Sequence, residues 1–425
     1  MATKLSTTGH ENRLSRNLAV YGLSADISIS DVDVGLKQKH PVLRVADALQ
    51  TLAAVGKFEG QFLMGHSSSA FSSDAEAGCN MLGDSLLTRL LYSVMLGRVY
   101  NSRKAKGKPL SLLVKNLSLE LRDAFFNGVE LAVGDDVRKY FLVPIAVKGD
   151  WPALAKVGQL TRHFGRQAQQ KPGHGICHLC LADKDGYKDW HNLSYDRMLQ
   201  MRVDAPMPWH QEPDLLSAVP IQESHKPNFF RIDLFHTLHK GLFADLCANA
   251  IVCSFDFDIF GNWFKGADTV SLMYFLENRL QNELESLDND ASSFFAEIVS
   301  ALSAANKFMK CIYHSSLWLS KEERNTLLNS GYKFSNSFAK CAQAAYDWGL
   351  TRFKYQPKFH MFGELLFQLA FERHHNLPSI SPLAFCTQLD EDFIGKVAAF
   401  SRAVSVRTVH ERTLSRYMIA LASRW

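Results

Sequence analysis

The chain lacks the short signatures that mark the commonest enzyme sites. There is no Walker A loop, no dinucleotide Gly-x-Gly-x-x-Gly, no His-Glu-x-x-His and no Gly-x-Ser-x-Gly elbow. Each of those sites needs its residues at fixed spacing, so common nucleotide-binding, metalloprotease and serine-hydrolase readings are disfavoured. Long apolar runs are missing too: the best candidate, residues 241–253, is too short for a bilayer and contains Asp245. Eight cysteines in 425 residues do not make a disulfide framework, and residues 1–17 carry no apolar leader core. The expectation is a soluble intracellular protein with reduced thiols and no membrane association. Nor is there a strong charge bias: 47 Lys and Arg against 43 Asp and Glu leave +4, which permits nucleic-acid binding without demanding it.

Core-forming residues, by contrast, are plentiful. With 47% hydrophobic residues, 29 Phe and 7 Trp, the composition is globular, and 425 residues call for two or three structural units. Residues 1–38 read as a polar arm, and helical spacing follows over 42–55 and 82–99. The basic loop 103–108 reads as solvated, and 110–126 as a further helix. Residues 129–133 and 140–147 read as paired strands across Gly134-Asp135-Asp136, with Asp150 at the tip of the second. Phe229-Phe-Arg-Ile-Asp233 reads as another short strand ending in an acid and leading into a helix over 234–252. Helices are expected at 270–287, 291–312, 321–329, 335–348 and 361–375, with a capping box at Ser320/Glu323 and a stop before Gly331.

Three groups of residues could carry chemistry. Acids at strand ends suit Mg²⁺ or Mn²⁺, which prefer oxygen ligands, and two such ions can activate a nucleophile at a phosphodiester. Asp150 is the leading acid, although an Asp after a strand also serves as an N-cap. Cys177-x-x-Cys180 has zinc-ligand spacing. Of the nearby His163, His174, His178 and His191, the ones expected to complete the site are His163 and His191; two buried thiols in a turn is the competing reading. Asp233, His236 and His239 fall at intervals of three, which suits a cap with packed histidines. His360 and Glu364, four apart, read as surface or capping neighbours.

The order of these motifs resembles the transposases of CACTA (En/Spm-type) DNA transposons, members of the DDE class with an RNase H-like core. The matching pieces are Asp150-Trp-Pro-Ala153, Cys177-His-Leu-Cys180, Asp233-Leu-Phe-His236, Pro357-Lys-Phe-His360 and Glu391-Asp-Phe-Ile-Gly395. They spread through residues 80–400. The resemblance implies a mixed, helix-rich α/β fold: an RNase H-like core with a zinc-knuckle-like loop and a large all-helical insertion. The implied division is an arm and helix in 1–60, the core in 61–260, the insertion in 261–350 and a return to the core in 351–425. It further implies divalent-metal-dependent DNA cleavage and strand transfer, in which Asp150 is the second acid and Glu391 the third, with Glu364 as a rival. Asp233 and His236 form an associated pair. Asp74 or Asp84 stands nearest the first acid, although the family's Asp-Gly strand has no counterpart here. DNA and further copies of the chain are the implied partners, and the nucleus the implied location. Arg402, Arg407, Arg412 and Arg416 are candidates for DNA phosphate contact or for a solvated helix face. An inactive relative would instead be a zinc-stabilised DNA- or protein-binding scaffold.

Overall fold

The computed structural model describes residues 20, 22, 24–56, 85–100, 107–166, 174–255, 266–284, 289–402 and 404–424. Asp74 and Asp84 lie outside the described residues. The chain is helix-rich and divides into two compact units. No helix among the described residues is long and apolar enough to cross a membrane.

The first unit comprises Met1–Ala146, Gln211–Phe229 and Leu389–Trp425. Two antiparallel hairpins organise it: β1 (Ile29–Val32) with β2 (His40–Leu43), and β3 (Val129–Val133) with β4 (Asp136–Tyr140). Helix α1 (Val45–Ala54) packs on β3, burying Leu49 and Leu52 against Ala124 and Leu131. The helix expected over 82–99 is reduced to two single turns, α2 (Ser85–Thr88) and α3 (Gly97–Tyr100). Between them the Tyr92 carbonyl accepts from Leu43 N (2.8 Å), and Ser93 Oγ donates to the Pro41 carbonyl (2.7 Å). Leu91 and Val94 meet one apolar cluster while Tyr92 and Met95 meet another, so tertiary demand on both sides overrides helical propensity. Helix α4 (Lys108–Phe126) follows, as expected.

The strand expected at 140–147 is displaced. In β3–β4, Val133 pairs with Asp136, leaving a two-residue turn whose Gly134 has φ 64°, so the return strand starts at Asp136 and ends at Tyr140. Among the described residues beyond it no further ladder forms.

The second unit comprises Val147–His210 and Phe230–Gln388. It holds α5 (Trp151–Val157), α6 (Tyr195–Val203), a kinked helix α7 (Phe235–Leu242) running into α8 (Phe243–Phe255), then α9 (Thr269–Leu284), α10 (Asn289–His314), α11 (Lys321–Asp347) and α12 (Pro357–His374). Phe243, Phe308, Phe334 and Phe362 are fully buried and mutually packed at centroid distances of 5.1–6.2 Å. Edge-on aromatic pairs of this kind add about 1 kcal/mol each beyond their area. The Ser320/Glu323 capping box forms as expected. The expected stop before Gly331 does not: α11 continues through it because Leu366 of α12 occupies the space a Cβ would need, so this glycine marks a helix crossing.

The two segments that end in Asp150 and Asp233 touch through one parallel bridge, Val147 to Phe230, with Arg231 N donating to the Val147 carbonyl (2.8 Å). Among the described residues the sheets are the two hairpins, and no mixed sheet gathers these strands.

The chain ends in α13 (Gln388–Arg402) and α14 (Val409–Ala422). The four arginines therefore do not share one helix: Arg402 closes α13, Arg407 is in the connection, and only Arg412 and Arg416 are on α14.

Candidate metal centre

The Cys177-x-x-Cys180 thiols sit in a tight turn of the second unit, closed by Ile176 N donating to the Ala182 carbonyl (3.0 Å). Backbone amides point at both sulfurs: Leu179 N lies 3.3 Å from Cys177 Sγ and Ala182 N 3.4 Å from Cys180 Sγ. Amide dipoles aimed at sulfur favour thiolates, the form that binds metal. Arg162, itself buried, fixes the turn from behind by donating Nε to the Cys177 carbonyl (3.2 Å) and Nη2 to the His178 carbonyl (3.0 Å). The Leu181 amide donates to the Met201 carbonyl at 2.8 Å, tying the turn to α6.

The other half of the site comes from α12. His360 and Glu364, one helical turn apart, face the thiols. Cys180 Sγ is 3.1 Å from His360 Nε2, Cys177 Sγ is 3.4 Å from Glu364 Oε1, and His360 Nε2 is 3.3 Å from the same oxygen. All four donor atoms lie within 4.8 Å of one another, and all four residues are buried. Bonds of about 2.0–2.3 Å around tetrahedral zinc set donor–donor edges of about 3.3–3.8 Å, so the cluster needs little adjustment to close on an ion.

Outer contacts orient these donors. His360 Nδ1 is 2.8 Å from the Trp190 carbonyl, which directs Nε2 to the thiols. Arg202 donates from Nε (2.9 Å) and Nη2 (2.6 Å) to Glu364 Oε2, leaving Oε1 turned to the sulfurs, and its guanidinium lies over the Phe367 ring. Burial would raise Glu364, but Arg202 and His360 hold it far below the usual carboxylate range. Burial also opposes charge on Cys177 and His360. Hydrogen bonds from Cys180 and His360 nevertheless bring Cys177 down to about 7, and those to Cys177 and Glu364 push His360 up to about 10. Cys180 is driven well above the ordinary thiol range by burial and by Cys177.

The expectation that His163 and His191 complete the thiol site is corrected: His360 and Glu364 stand there instead. His191 is exposed and stacks on Tyr355 (5.0 Å), while its neighbour Trp190 lends the carbonyl that orients His360. His163 follows Arg162, the clamp on the back of the turn. His178 points away from the sulfurs, its Nε2 2.8 Å from the Phe230 carbonyl, and its ring meets Trp151 edge-on.

The helix-start acids behave as caps. Asp150 Oδ1 accepts from Ala153 N (2.8 Å) and caps α5. Asp233 is 1% exposed, and its oxygens are consumed by five contacts: Phe235 N and Thr387 N on Oδ1, and His236 N, His236 Nδ1 and Thr387 Oγ1 on Oδ2, at 2.5–3.0 Å. Burial works against its charge, but His236 and Thr387 hold it below the usual range. His239 bridges the Gly266 carbonyl (3.3 Å) and the Tyr313 hydroxyl (3.2 Å), and burial lowers it to about 4. At the Lys240–Gly241 kink, Lys358 Nζ donates to the Lys240 carbonyl (2.7 Å) and its stem fills the place of a Gly241 Cβ. Lys358 and His360 of the Pro-Lys-Phe-His motif thus do separate jobs, one closing the kink and one facing the thiols. Glu391 is exposed in the first turn of α13, in the first unit.

His360, Glu364 and Arg202 are the members that sequence reasoning missed. The signal was the sequence around α12: Phe-His-Met-Phe-Gly-Glu-Leu-Leu-Phe offers no polar face, so two ionisable residues in it must be buried together with partners. No known protein family, no curated protein and no solved structure matches this chain.

Proposed function

We propose that the protein is a transposase-type DNA-handling scaffold whose second unit is built around one structural Zn²⁺. The observation that carries the metal is the convergence of two thiols, an imidazole and a carboxylate, from segments about 180 residues apart, within 4.8 Å in a buried site. Cys177, Cys180, His360 and Glu364 would hold the ion; it would supply a cross-link between the turn and α12. Four protein donors fill a tetrahedron and leave no open position for water, which favours a structural over a catalytic role.

The DNA-handling part rests on the resemblance and on how its pieces interlock. Trp151, beside Asp150, packs on His178 of the thiol turn, and that histidine bonds the carbonyl of Phe230, three residues before Asp233. The Pro-Lys-Phe-His segment closes both the thiol site and the α7 kink. Four of the five pieces therefore brace one another. In this reading the protein acts on DNA in the nucleus, through contacts with the phosphate backbone.

One observation favours a second, enzymatic reading. The Val147–Phe230 bridge is parallel, and Asp150 and Asp233 each follow it by three residues, so two acids lie just past one point of backbone pairing. In that reading Asp150 would help to bind Mg²⁺ or Mn²⁺ for strand cleavage and transfer. Duplex-binding and plasmid-nicking assays separate the two. The scaffold predicts salt-sensitive duplex binding with no nicking in Mg²⁺ or Mn²⁺. Mn²⁺-dependent nicking that disappears in Asp150→Ala would overturn it in favour of the enzyme, and absence of any duplex binding would remove both.

A further inference from the structure

A second cluster of titratable groups lies in the first unit, far in sequence from the thiol site. His40 opens β2 and His410 lies in the first turn of α14; their ring centroids are 4.7 Å apart. His40 is 2% exposed and His410 is half-buried, yet the Nε2 atom of each is buried with no hydrogen-bond partner. The Val94 backbone beside His40 favours its protonated form. Two neutral imidazoles tolerate this arrangement. A proton on either Nε2 would sit in buried space without an acceptor, beside the other ring.

We propose that His40 and His410 form a proton-sensitive latch that seats α14 on the β1–β2 hairpin at neutral pH and loosens it in acid. Asp31 on β1 favours a charge on His40, and Arg98 on α3 disfavours one on His410. Burial, and then His410, lowers His40 to about 4 despite Asp31, while burial followed by Arg98 lowers His410. A released histidine titrates near its ordinary value of about 6.5. Between there and about 4, the released state takes up protons that the seated state refuses, so seating is full above that window and weakens as pH falls through it. At pH 5.5 the penalty is about tenfold in the seating equilibrium for His40. The latch is a bias on a packed helix, since Leu414, Tyr417 and Leu421 remain in the core.

Amide hydrogen exchange on the full chain tests this at pH 7.5 and 5.5, with rates corrected for intrinsic exchange and α11 as internal reference. The expected result is about tenfold greater opening of α14 at the lower pH, with α11 unchanged, loss of most of that difference in His40→Gln, and a smaller reduction in His410→Phe. His410→Phe provides a second variant should His40→Gln fold poorly. Equal α14 protection at both pH values overturns the latch, as does acid loosening that survives in both variants. Loosening of α14 by a chelator at pH 7.5, abolished in His410→Phe, would also overturn it, because the pair would then hold a metal rather than sense protons.

Discussion

The second unit contains two carboxylate–histidine pairs that look alike in sequence and end in opposite roles. Asp233 and His236 open a helix; His360 and Glu364 lie inside one. At a helix start the first backbone N–H groups have no intrahelical acceptor, so an acid there is drawn into capping. Asp233 is claimed in this way by Phe235 N and His236 N, and His236 and Thr387 fill what remains. Inside α12 the backbone is already paired, so His360 and Glu364 are free to face the thiols, with Arg202 as the outer counter-charge. Position along the helix decides whether the acid becomes a cap or joins the thiol cluster.

The largest effects should come from breaking the ligand pair. Cys177→Ser or His360→Ala should abolish metal content and lower the melting temperature of the second unit by about 10 °C or more, measured by calorimetry with and without chelator. Chelation of the wild type should reproduce the shift, and chelation of the variants should add nothing. Glu364→Gln strips Arg202 of its buried partner, at a cost of about 3–5 kcal/mol in denaturant unfolding. Arg202→Met should cost less than Glu364→Gln, because a neutral, flexible side chain can still pack against Phe367.

The capping pair should respond differently. Asp233→Ala leaves buried donors unpaired and should cost about 2–4 kcal/mol, yet metal content should not change. If zinc is lost with Asp233, the two pairs are not independent and the distinction fails. Smallest of all, Asp150→Ala removes one exposed cap bond and should cost about 1 kcal/mol, read from the denaturation midpoint.

Much of the helical framework was legible because it rests on local signals: the Ser320/Glu323 cap, the Asp150 cap and the periodicity of α4 and α10. Half of the candidate metal centre was legible too, since Cys177-x-x-Cys180 is a local motif. The other half was not. Nothing local to His360 says that a thiol 180 residues earlier will meet it, whereas His163 and His191 are near in sequence, and His191 stacks on Tyr355 instead. The strand at 140–147 failed for a related reason. Its apolar run is real, but the Gly134 turn sets the register so that Asp136–Tyr140 takes the partner positions. Gly331 misled because a glycine that admits Leu366 looks the same in sequence as one that ends a helix.

Elemental analysis of the purified chain tests the central claim most directly. Wild type, His163→Ala and His191→Ala should each carry one zinc per chain, and Cys177→Ser and His360→Ala none. A zinc-free wild type, or zinc kept by His360→Ala and lost from His163→Ala or His191→Ala, would contradict the ligand set.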